Sequence, residues 1–257
     1  MSSNKVIFLG TGTSQGIPMI GCNCNVCRSS DPKDKRLRSS IYVEYEGLKL
    51  VVDAGPDYRQ QMLREDLAYL DGILLTHKHI DHTGGLDDVR AFNFFFKGSL
   101  PIYCEENVYE SLKNQFYYAF AEKKYPGAPS FDMHLINEEP FKIKGVEIIP
   151  IRAMHYKLPV LGFRFGNFAY LTDVKYLPES EFEKLKGLDY FVINTVCRPY
   201  HISHLSLPEA VDMCKKVGAK HSYLTHLSHA LPRYKDLKKE VAPFNIEPAY
   251  DGLEIEF

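Results

Sequence analysis

Short apolar runs broken by turn residues recur along the chain, and they predict a protein built mainly of β-strands. SSIYVEYEGLKLVVDAG is predicted to form two strands that turn at Glu46 and Gly47, while FKIKGVEIIPIRAMH and LGFRFGNFAYLTDV are predicted to form further strand pairs. Helical spacing of apolar residues is found in DYRQQMLREDL and in SLPEAVDMCKKVG. Strands thus occur in both halves of the chain with helices between them. This order predicts two sheets packed face to face with helices outside, an α/β (α+β) fold class.

Length and composition fit one domain. The chain has 257 residues, of which 45% are apolar, and this is enough to bury a sizeable core. Residues at about 92–132 are rich in aromatic side chains and partly helical in their spacing. We predict a single domain over residues 1–257 that carries this segment as an insertion. The aromatic side chains either pack as part of the core or form a wall of a pocket.

Charge and hydropathy limit the partners that the sequence predicts. The formal net charge is −2, so no overall basic field favours a large nucleic acid partner. The chain has no apolar run long enough for a transmembrane helix, and MSSNKVIFLG lacks the plan of a secretory signal. We therefore expect a cytoplasmic protein without a membrane partner. The sequence leaves open whether the chain forms a homodimer.

The cysteines fall into two groups. Cys22, Cys24 and Cys27 lie within six residues, which favours a soft metal site, although a tetrahedral zinc site needs a fourth ligand. The other three occur singly in apolar surroundings, and we predict them to be small buried core residues: Cys104, Cys197 and Cys214. In a reducing compartment none of the six is expected to form a disulfide.

A second group of metal-ligating residue types follows an apolar strand. THKHIDH contains His77, His79, Asp81 and His82. Four polar side chains so close together cannot all be buried without partners. On a tight loop, however, imidazole nitrogens and a carboxylate can converge on adjacent divalent cations. This pattern predicts a metal site rather than a solvated polar loop.

THKHIDH matches the H-x-H-x-D-H loop of the metallo-β-lactamase superfamily without substitution, and the chain resembles that superfamily over residues 5–229. Further family features occur in order: Asp53 in VVDAG, where the family has an acid that braces the metal loop, then His155 in RAMHYK, Asp173 in YLTDV and His226 in LTHLSH. The resemblance therefore implies the four-layer αββα sandwich of this superfamily.

The resemblance also implies two divalent metal ions, zinc or manganese, in the active site. One ion would be held by His77, His79 and His155, the other by Asp81, His82 and His226, and Asp173 would bridge them. Two cations about 3.5–4 Å apart can hold a hydroxide and stabilise both the attacking and the leaving oxygen of a displacement. Such a centre keeps a net positive charge, which suits an anionic phosphate.

The fourth ligand of the cysteine cluster is also implied by resemblance. Within the superfamily the chain is similar to the phosphoribosyl 1,2-cyclic phosphodiesterases of the carbon–phosphorus lyase pathway, which carry C-x-C-x-x-C together with a carboxy-terminal histidine. His229 in THLSH lies three residues after His226. Cys22, Cys24, Cys27 and His229 would then hold a structural zinc ion between an amino-terminal and a carboxy-terminal loop. The alternative is reduced cysteines without a metal.

A further histidine precedes a predicted helix. In RPYHISHLSLPEAV, His204 comes just before Ser206, and Pro208 and Glu209 complete the pattern of an N-capped helix start. Phosphodiesterases of this superfamily place a histidine in a similar context, as the general acid that protonates the leaving alkoxide. The resemblance thus implies a catalytic role for His204, whereas His201 lacks the downstream spacing. A capping role at the surface is the alternative.

Together these features predict a dinuclear metal-dependent hydrolase that cleaves a small phosphodiester, a cyclic ribose phosphate or a nucleotide diester, by attack of metal-bound hydroxide. Asp81 and His204 are the predicted catalytic residues. One alternative is a hydrolase of the same fold acting on a thioester or a β-lactam, although His204 argues for an alkoxide leaving group. A tRNA 3′-processing endonuclease is disfavoured because the sequence shows no long Gly/Pro-rich arm. A non-catalytic metal-binding module is disfavoured by the intact ligand pattern.

Overall fold

A computed structural model of the chain describes residues 4–257, so the first three residues of the predicted domain lie outside the described residues. Within this range the strands form two seven-stranded sheets. The first sheet contains, in spatial order, β14 (Glu254–Glu256), β1 (Lys5–Gly10), β2 (Ser40–Tyr45), β3 (Leu48–Val52), β4 (Gly72–Leu74), β5 (Leu100–Cys104) and β6 (Phe131–Leu135). The second contains β13 (Ile246–Pro248), β12 (His221–Thr225), β11 (Tyr190–Asn194), β10 (Phe168–Tyr170), β9 (Leu158–Phe165), β8 (Val146–His155) and β7 (Phe141–Ile143).

Helices connect the strands and cover the outer faces of both sheets. The α-helices are α1 (Tyr58–Arg64), α2 (Ile80–Thr83), α3 (Arg90–Phe96), α4 (Glu106–Gln115), α5 (Tyr117–Phe120), α6 (Leu207–Val217) and α7 (Tyr234–Val241). Short 3₁₀ helices occur at Pro32–Asp34, Leu86–Val89, Glu179–Leu185 and Ala242–Phe244. Among the described residues no helix combines the length and the apolar character that a bilayer crossing requires.

Alternation of side chains along the strands produces three apolar layers. On β1, Val6 and Phe8 point into the space between the sheets, whereas Ile7 and Leu9 point to the outer face. That outer face packs against α1, α3 and α4, and the outer face of the second sheet packs against α6 and α7. Successive residues of a strand face opposite sides, and each side meets one of these apolar layers. Both faces of each sheet are therefore buried. The result is the expected αββα sandwich.

Several predicted elements are confirmed. The turn at Glu46 and Gly47 joins β2 to β3, and the helices predicted in DYRQQMLREDL and SLPEAVDMCKKVG are α1 and α6. The histidine-rich turn differs in detail, because Asp81 and His82 lie in the one-turn helix α2. Its backbone hydrogen bonds run from the N–H of His82 to the carbonyl of His79 and from the N–H of Gly84 to the carbonyl of Ile80, and so short a helix shows no apolar periodicity.

The aromatic-rich segment at about 92–132 includes strand β5, which pairs in parallel with β4 and β6. Phe92 and Phe116 are buried against the first sheet, while Phe94 and Phe95 are exposed. The segment therefore contributes both to the core and to the surface. Of the three single cysteines, Cys104 and Cys214 are buried as predicted, but Cys197 is half-buried on a loop, so the prediction was wrong for that residue.

Candidate metal centre and catalytic site

The candidate metal ligands lie at one edge of the sandwich. In the second sheet β10, β11 and β12 are parallel, and β8 runs in the same direction as β10 because both are antiparallel to β9. The carboxyl ends of these strands therefore meet at a common edge, where they carry His155, Asp173 and His226. The loop that follows β4 in the first sheet brings His77 and His79 to the same place.

The structure brings together all seven residues that the resemblance implies. Ligand atoms lie within 4.8 Å of one another in four overlapping groups: His77, His79 and His155; Asp81, His82 and His226; His77, His82 and Asp173; and His155, Asp173 and His204. Asp173 belongs to two of these groups, with its Oδ2 atom 3.1 Å from His82 Nε2 and 3.2 Å from His226 Nδ1. Its Oδ1 atom is 3.9 Å from His155 Nε2. This is the position expected of a bridging carboxylate.

The donor set fits divalent cations. His82 Nε2 is buried and makes no hydrogen bond of suitable geometry to the described residues, although Asp173 Oδ2 lies 3.1 Å and Asp81 Oδ2 3.3 Å away. An orphaned buried nitrogen is costly unless something else binds it. Imidazole nitrogens and carboxylate oxygens are moreover the donors that zinc and manganese accept. Metal ions would therefore satisfy groups that the chain itself leaves without a partner.

Contacts behind the ligands fix their orientation. Asp53 is fully buried and accepts hydrogen bonds from the backbone N–H and the hydroxyl of Thr76, both at 2.8 Å. Its other neighbour is His82 Nδ1, at 2.6 Å, so that Nε2 of His82 faces the centre. His155 is oriented in the same way, because its Nδ1–H donates to the backbone carbonyl of Ser203 at 2.8 Å. Such partners set the tautomer and the direction of a metal-ligating histidine.

Two supporting groups, the side chain of Asn194 and the backbone carbonyl of Ser203, were not predicted from the sequence. Asn194 is buried at the end of β11, where its side chain accepts from the N–H of Val174 at 2.6 Å and donates to the carbonyl of Val174 at 3.1 Å. It thereby fixes the segment that follows Asp173. A polar residue at the end of the apolar run LDYFVIN was the available signal for Asn194. Ser203 acts through its backbone carbonyl, which leaves no signal in the sequence.

Burial and mutual proximity shape the charges of the centre. Burial lowers the pKa of His77 well below its usual value. Burial acts in the same direction on His82, but the carboxylates of Asp173, Asp53 and Asp81 outweigh it and raise the pKa of His82 well above the usual value. Burial alone would raise the pKa of Asp173, yet His226 and His82 hold it well below the usual range. The central carboxylate is therefore ionised, as a cation ligand must be.

His204 lies in the loop between β11 and α6, at the side of the centre formed by His155. Its Nδ1 atom is 3.6 Å from Asp173 Oδ1, is buried and has no hydrogen-bond partner among the described residues. Burial lowers the pKa of His204 to about 3. His201 belongs to none of the ligand groups; its ring centroid lies 5.1 Å from that of His204. The structure thus places His204, and not His201, against the predicted centre.

The helix after His204 begins as expected. The Glu209 carboxylate accepts hydrogen bonds from the backbone N–H and the hydroxyl of Ser206, both at 2.8 Å. This contact between the N-cap residue and the third helical residue belongs to a capping box. It fixes the N-cap of α6 two residues after His204. The helix is capped by Ser206, which leaves the imidazole of His204 free for the site.

The cysteine cluster is assembled from two distant loops. Sγ of Cys22 lies 3.2 Å and Sγ of Cys24 3.5 Å from Nδ1 of His229, and Cys27 completes a group whose ligand atoms all lie within 4.8 Å of one another. A hydrogen bond from the backbone N–H of Cys27, together with His229, lowers the pKa of Cys24 to about 6. Burial raises the pKa of Cys27 to about 11. Three sulfurs and one imidazole nitrogen in this arrangement match a structural zinc site.

Comparison with known proteins identifies the family. Residues 49–227 match the Beta-lactamase superfamily domain. The chain belongs to the metallo-β-lactamase superfamily. The crystal structure of a new diphosphatase from the PhnP family superposes with a TM-score of 0.91 at 39% identity, covering 99% of this chain and 98% of that one. The predicted resemblance to the superfamily is confirmed, and within it the chain is similar to a diphosphatase of the PhnP family.

Two further relatives broaden the comparison. Zn(2+)-bound PqqB from Methylobacterium extorquens has the same fold, with a TM-score of 0.81 at 17% identity and coverage of 98% and 100% of the two chains. An octanoyltransferase of Porphyromonas gingivalis is 40% identical over 253 residues, which are 97% of this chain and 51% of the relative. The chain thus spans about half the length, or less, of the curated relatives it matches.

Proposed function

We propose that the protein is a dinuclear metal-dependent hydrolase of small phosphodiesters. The observation that carries this proposal is the position of Asp173 between two groups of ligand atoms, with His204 beside it. A centre of this composition retains a positive charge after both ions are bound, and such a charge favours an anionic substrate. The 39% identity to a diphosphatase over nearly the whole chain supports chemistry at phosphorus.

Each group of the site has a part in this reaction. His77, His79 and His155 would hold one ion, and Asp81, His82 and His226 the other, with Asp173 shared between them. Two bound divalent ions polarise a phosphoryl oxygen and lower the pKa of water. Asp53, Ser203 and Asn194 keep the ligands in place, so that little reorganisation is needed when the substrate binds.

His204 supplies the proton that the leaving oxygen needs. Burial keeps its imidazole neutral at neutral pH, but an anionic phosphodiester beside it favours the protonated form. Nδ1 is the nitrogen that faces Asp173 and has no hydrogen-bond partner in the described part of the chain, so a proton held there points into the centre. Delivery of that proton to an alkoxide is the task of a general acid.

A second candidate is action on an octanoyl thioester, which is favoured by the match of 97% of this chain to an octanoyltransferase. A thiolate leaves readily without a general acid, so this chemistry gives His204 no function. Hydrolysis of a phosphodiester uses both the metal ligands and His204. We therefore rank it first.

A substrate panel tests the proposal. Protein loaded with zinc or with manganese is assayed on cyclic ribose phosphates, nucleotide diesters, a dinucleoside diphosphate, an octanoyl thioester and a β-lactam. Turnover of a phosphorus ester is expected. Asp81→Ala should lower that turnover by about 100-fold or more, because one metal ligand is lost, with a small change in thermal stability.

Asp212→Ala is the matched control, because Asp212 is exposed on α6 and, within residues 4–257, forms an ion pair only with Lys215, at 3.6 Å. It should retain the activity of the parent. Two results contradict the proposal: turnover confined to the thioester or the β-lactam, or full activity in the Asp81 variant.

A further inference from the structure

Tyr200 is an exposed aromatic residue whose ring is nevertheless held in place. Its relative exposure is 74%. The ammonium group of Lys175 lies 4.0 Å from the centroid of the ring, within the range of a cation–π contact. One face of the ring is therefore supported by a cation, while most of the remaining ring surface is open to solvent.

The supporting lysine is itself fixed. Only 14% of the Lys175 side chain is exposed, and its ammonium group lies 2.7 Å from Glu209 Oε1. The other oxygen of Glu209 accepts from Ser206 at the start of α6. A chain of contacts thus runs from the capped helix through Glu209 and Lys175 to the ring of Tyr200. A ring held in this way loses little conformational entropy when a ligand stacks on it.

The same loop borders the candidate metal centre. Lys175 follows Asp173 by two residues, and the carbonyl of Ser203, three residues after Tyr200, accepts from His155 at 2.8 Å. His201, the neighbour of Tyr200, has its ring 5.1 Å from that of His204. Tyr200 therefore belongs to the loop that carries His204, the residue beside which the leaving group of a phosphodiester would depart.

We propose that Tyr200 is a stacking platform for a nucleobase, and hence that the phosphodiester cleaved at this site carries a nucleoside on the His204 side. This inference rests on the proposed function, and it selects nucleotide esters over esters of a bare sugar phosphate. A base has a π-face that stacks on tyrosine whatever its sequence identity, and such a stack strengthens binding by about tenfold or more. Tyr200 is thus a specificity-determining residue.

The test compares two ligands that differ only in the base. Binding of AMP and of ribose 5-phosphate to the metal-loaded protein is measured by titration calorimetry, without turnover. The parent should bind AMP about tenfold or more tightly than ribose 5-phosphate. Tyr200→Ala should remove this preference by weakening AMP alone, whereas Tyr200→Phe should keep it, because phenylalanine retains the ring.

Phe244 provides a matched control, because its ring is 46% exposed and lies 4.4 Å from the ammonium group of Lys215, but Phe244 belongs to none of the ligand groups. Phe244→Ala should keep the preference for AMP. Equal binding of both ligands by the parent overturns the proposal, as does a preference that survives in Tyr200→Ala. An equal loss of both ligands in that variant also overturns it, because the ring would then support the fold of the loop.

The result of this binding test can be distinguished from the result of the substrate panel. A Tyr200-dependent preference for AMP in a protein that hydrolyses no phosphorus ester supports the stacking platform and contradicts the proposed function. Hydrolysis of phosphorus esters without that preference supports the proposed function and contradicts the stacking platform.

Discussion

At the scale of single residues, three residues in and behind the centre have a left-handed backbone conformation. Asp53, Asp173 and His226 have φ angles of 65°, 57° and 53°; Asp53 and His226 directly follow a strand, and Asp173 lies three residues after the end of β10. This conformation costs a residue other than glycine about 1–2 kcal/mol. It persists where surrounding contacts impose it, and such residues cluster at functional sites. At each of these positions the chain leaves the strand direction at the edge where the ligands converge.

The role of His204 leads to a prediction about leaving groups. A general acid contributes about 10²–10⁴-fold, and its benefit grows with the basicity of the leaving oxygen. His204→Ala should therefore lose about 100-fold or more in kcat/KM on an alkyl or ribosyl diester, and far less on a nitrophenyl ester, since nitrophenolate departs without a proton. The measurement is kcat/KM on both substrates for parent and variant.

His201→Ala is the control for this prediction, because His201 is the neighbouring histidine outside the ligand groups. It should change both rates little. Equal losses on the two substrates in His204→Ala would show that His204 positions the phosphate instead of donating a proton, and no loss on either would remove it from the reaction.

How far the site could be predicted depends on how each residue acts. The spacing in THKHIDH was sufficient for His77, His79, Asp81 and His82 because these ligands are neighbours in sequence. Asp173 and the later histidines are far apart along the chain, and only the resemblance to a family indicated them. The left-handed backbone and the carbonyl of Ser203 do not depend on residue type in any way that a single sequence reveals.

At the scale of elements, the cysteine cluster adds a further link between two loops that also meet at the isolated β-bridge of Gly12 and Leu227. Cys22, Cys24 and Cys27 lie between β1 and β2, and His229 lies between β12 and α7. A shared metal would therefore hold the amino-terminal loop against the carboxy-terminal one. His229 is only three residues from His226, so the cluster also restrains the loop that carries a ligand of the active centre.

This arrangement predicts that Cys24→Ser destabilises the protein, because a structural zinc ion contributes folding energy directly. The melting temperature should fall by about 5 °C or more, measured by calorimetry with and without chelator. Cys197→Ser is the control, because Cys197 is half-buried and lies outside the cluster. A Cys24 variant as stable as the parent but inactive would mean that the cysteines take part in catalysis.

The elements themselves were predicted best where a turn or a helix cap marks their boundary. The turn at Glu46 and Gly47 separates β2 from β3, and helix α6 has helical spacing of its buried residues after the cap at Ser206. Helix α2 is a single turn, too short to show an apolar period. Strand β5 was not predicted, because it lies in an aromatic segment whose spacing is partly helical. In both cases tertiary packing, and not local pattern, decides the structure.

At the scale of the whole molecule, the sandwich separates stability from chemistry. The apolar layers fill the space between the sheets and beneath the helices, whereas the polar ligands gather at the edge where strand ends from both sheets meet. Ligands from each half of the chain are required to complete the centre. Metal binding should therefore depend on the correct packing of the two sheets against each other.

The last prediction concerns the number of metal ions in the intact protein. Three ions per chain are predicted: one for the group of His77, His79 and His155, one for the group of Asp81, His82 and His226, and one for the separate cysteine cluster. Elemental analysis of protein purified without chelator should approach that value. Cys24→Ser should lose one ion and keep the other two, while Asp81→Ala should keep the ion of the cysteine cluster and bind the pair less tightly. Asp212→Ala should match the parent. A reproducible count of one or none in the parent is incompatible with this assignment, and a loss of all ions in the Cys24 variant would show that the two sites do not bind independently.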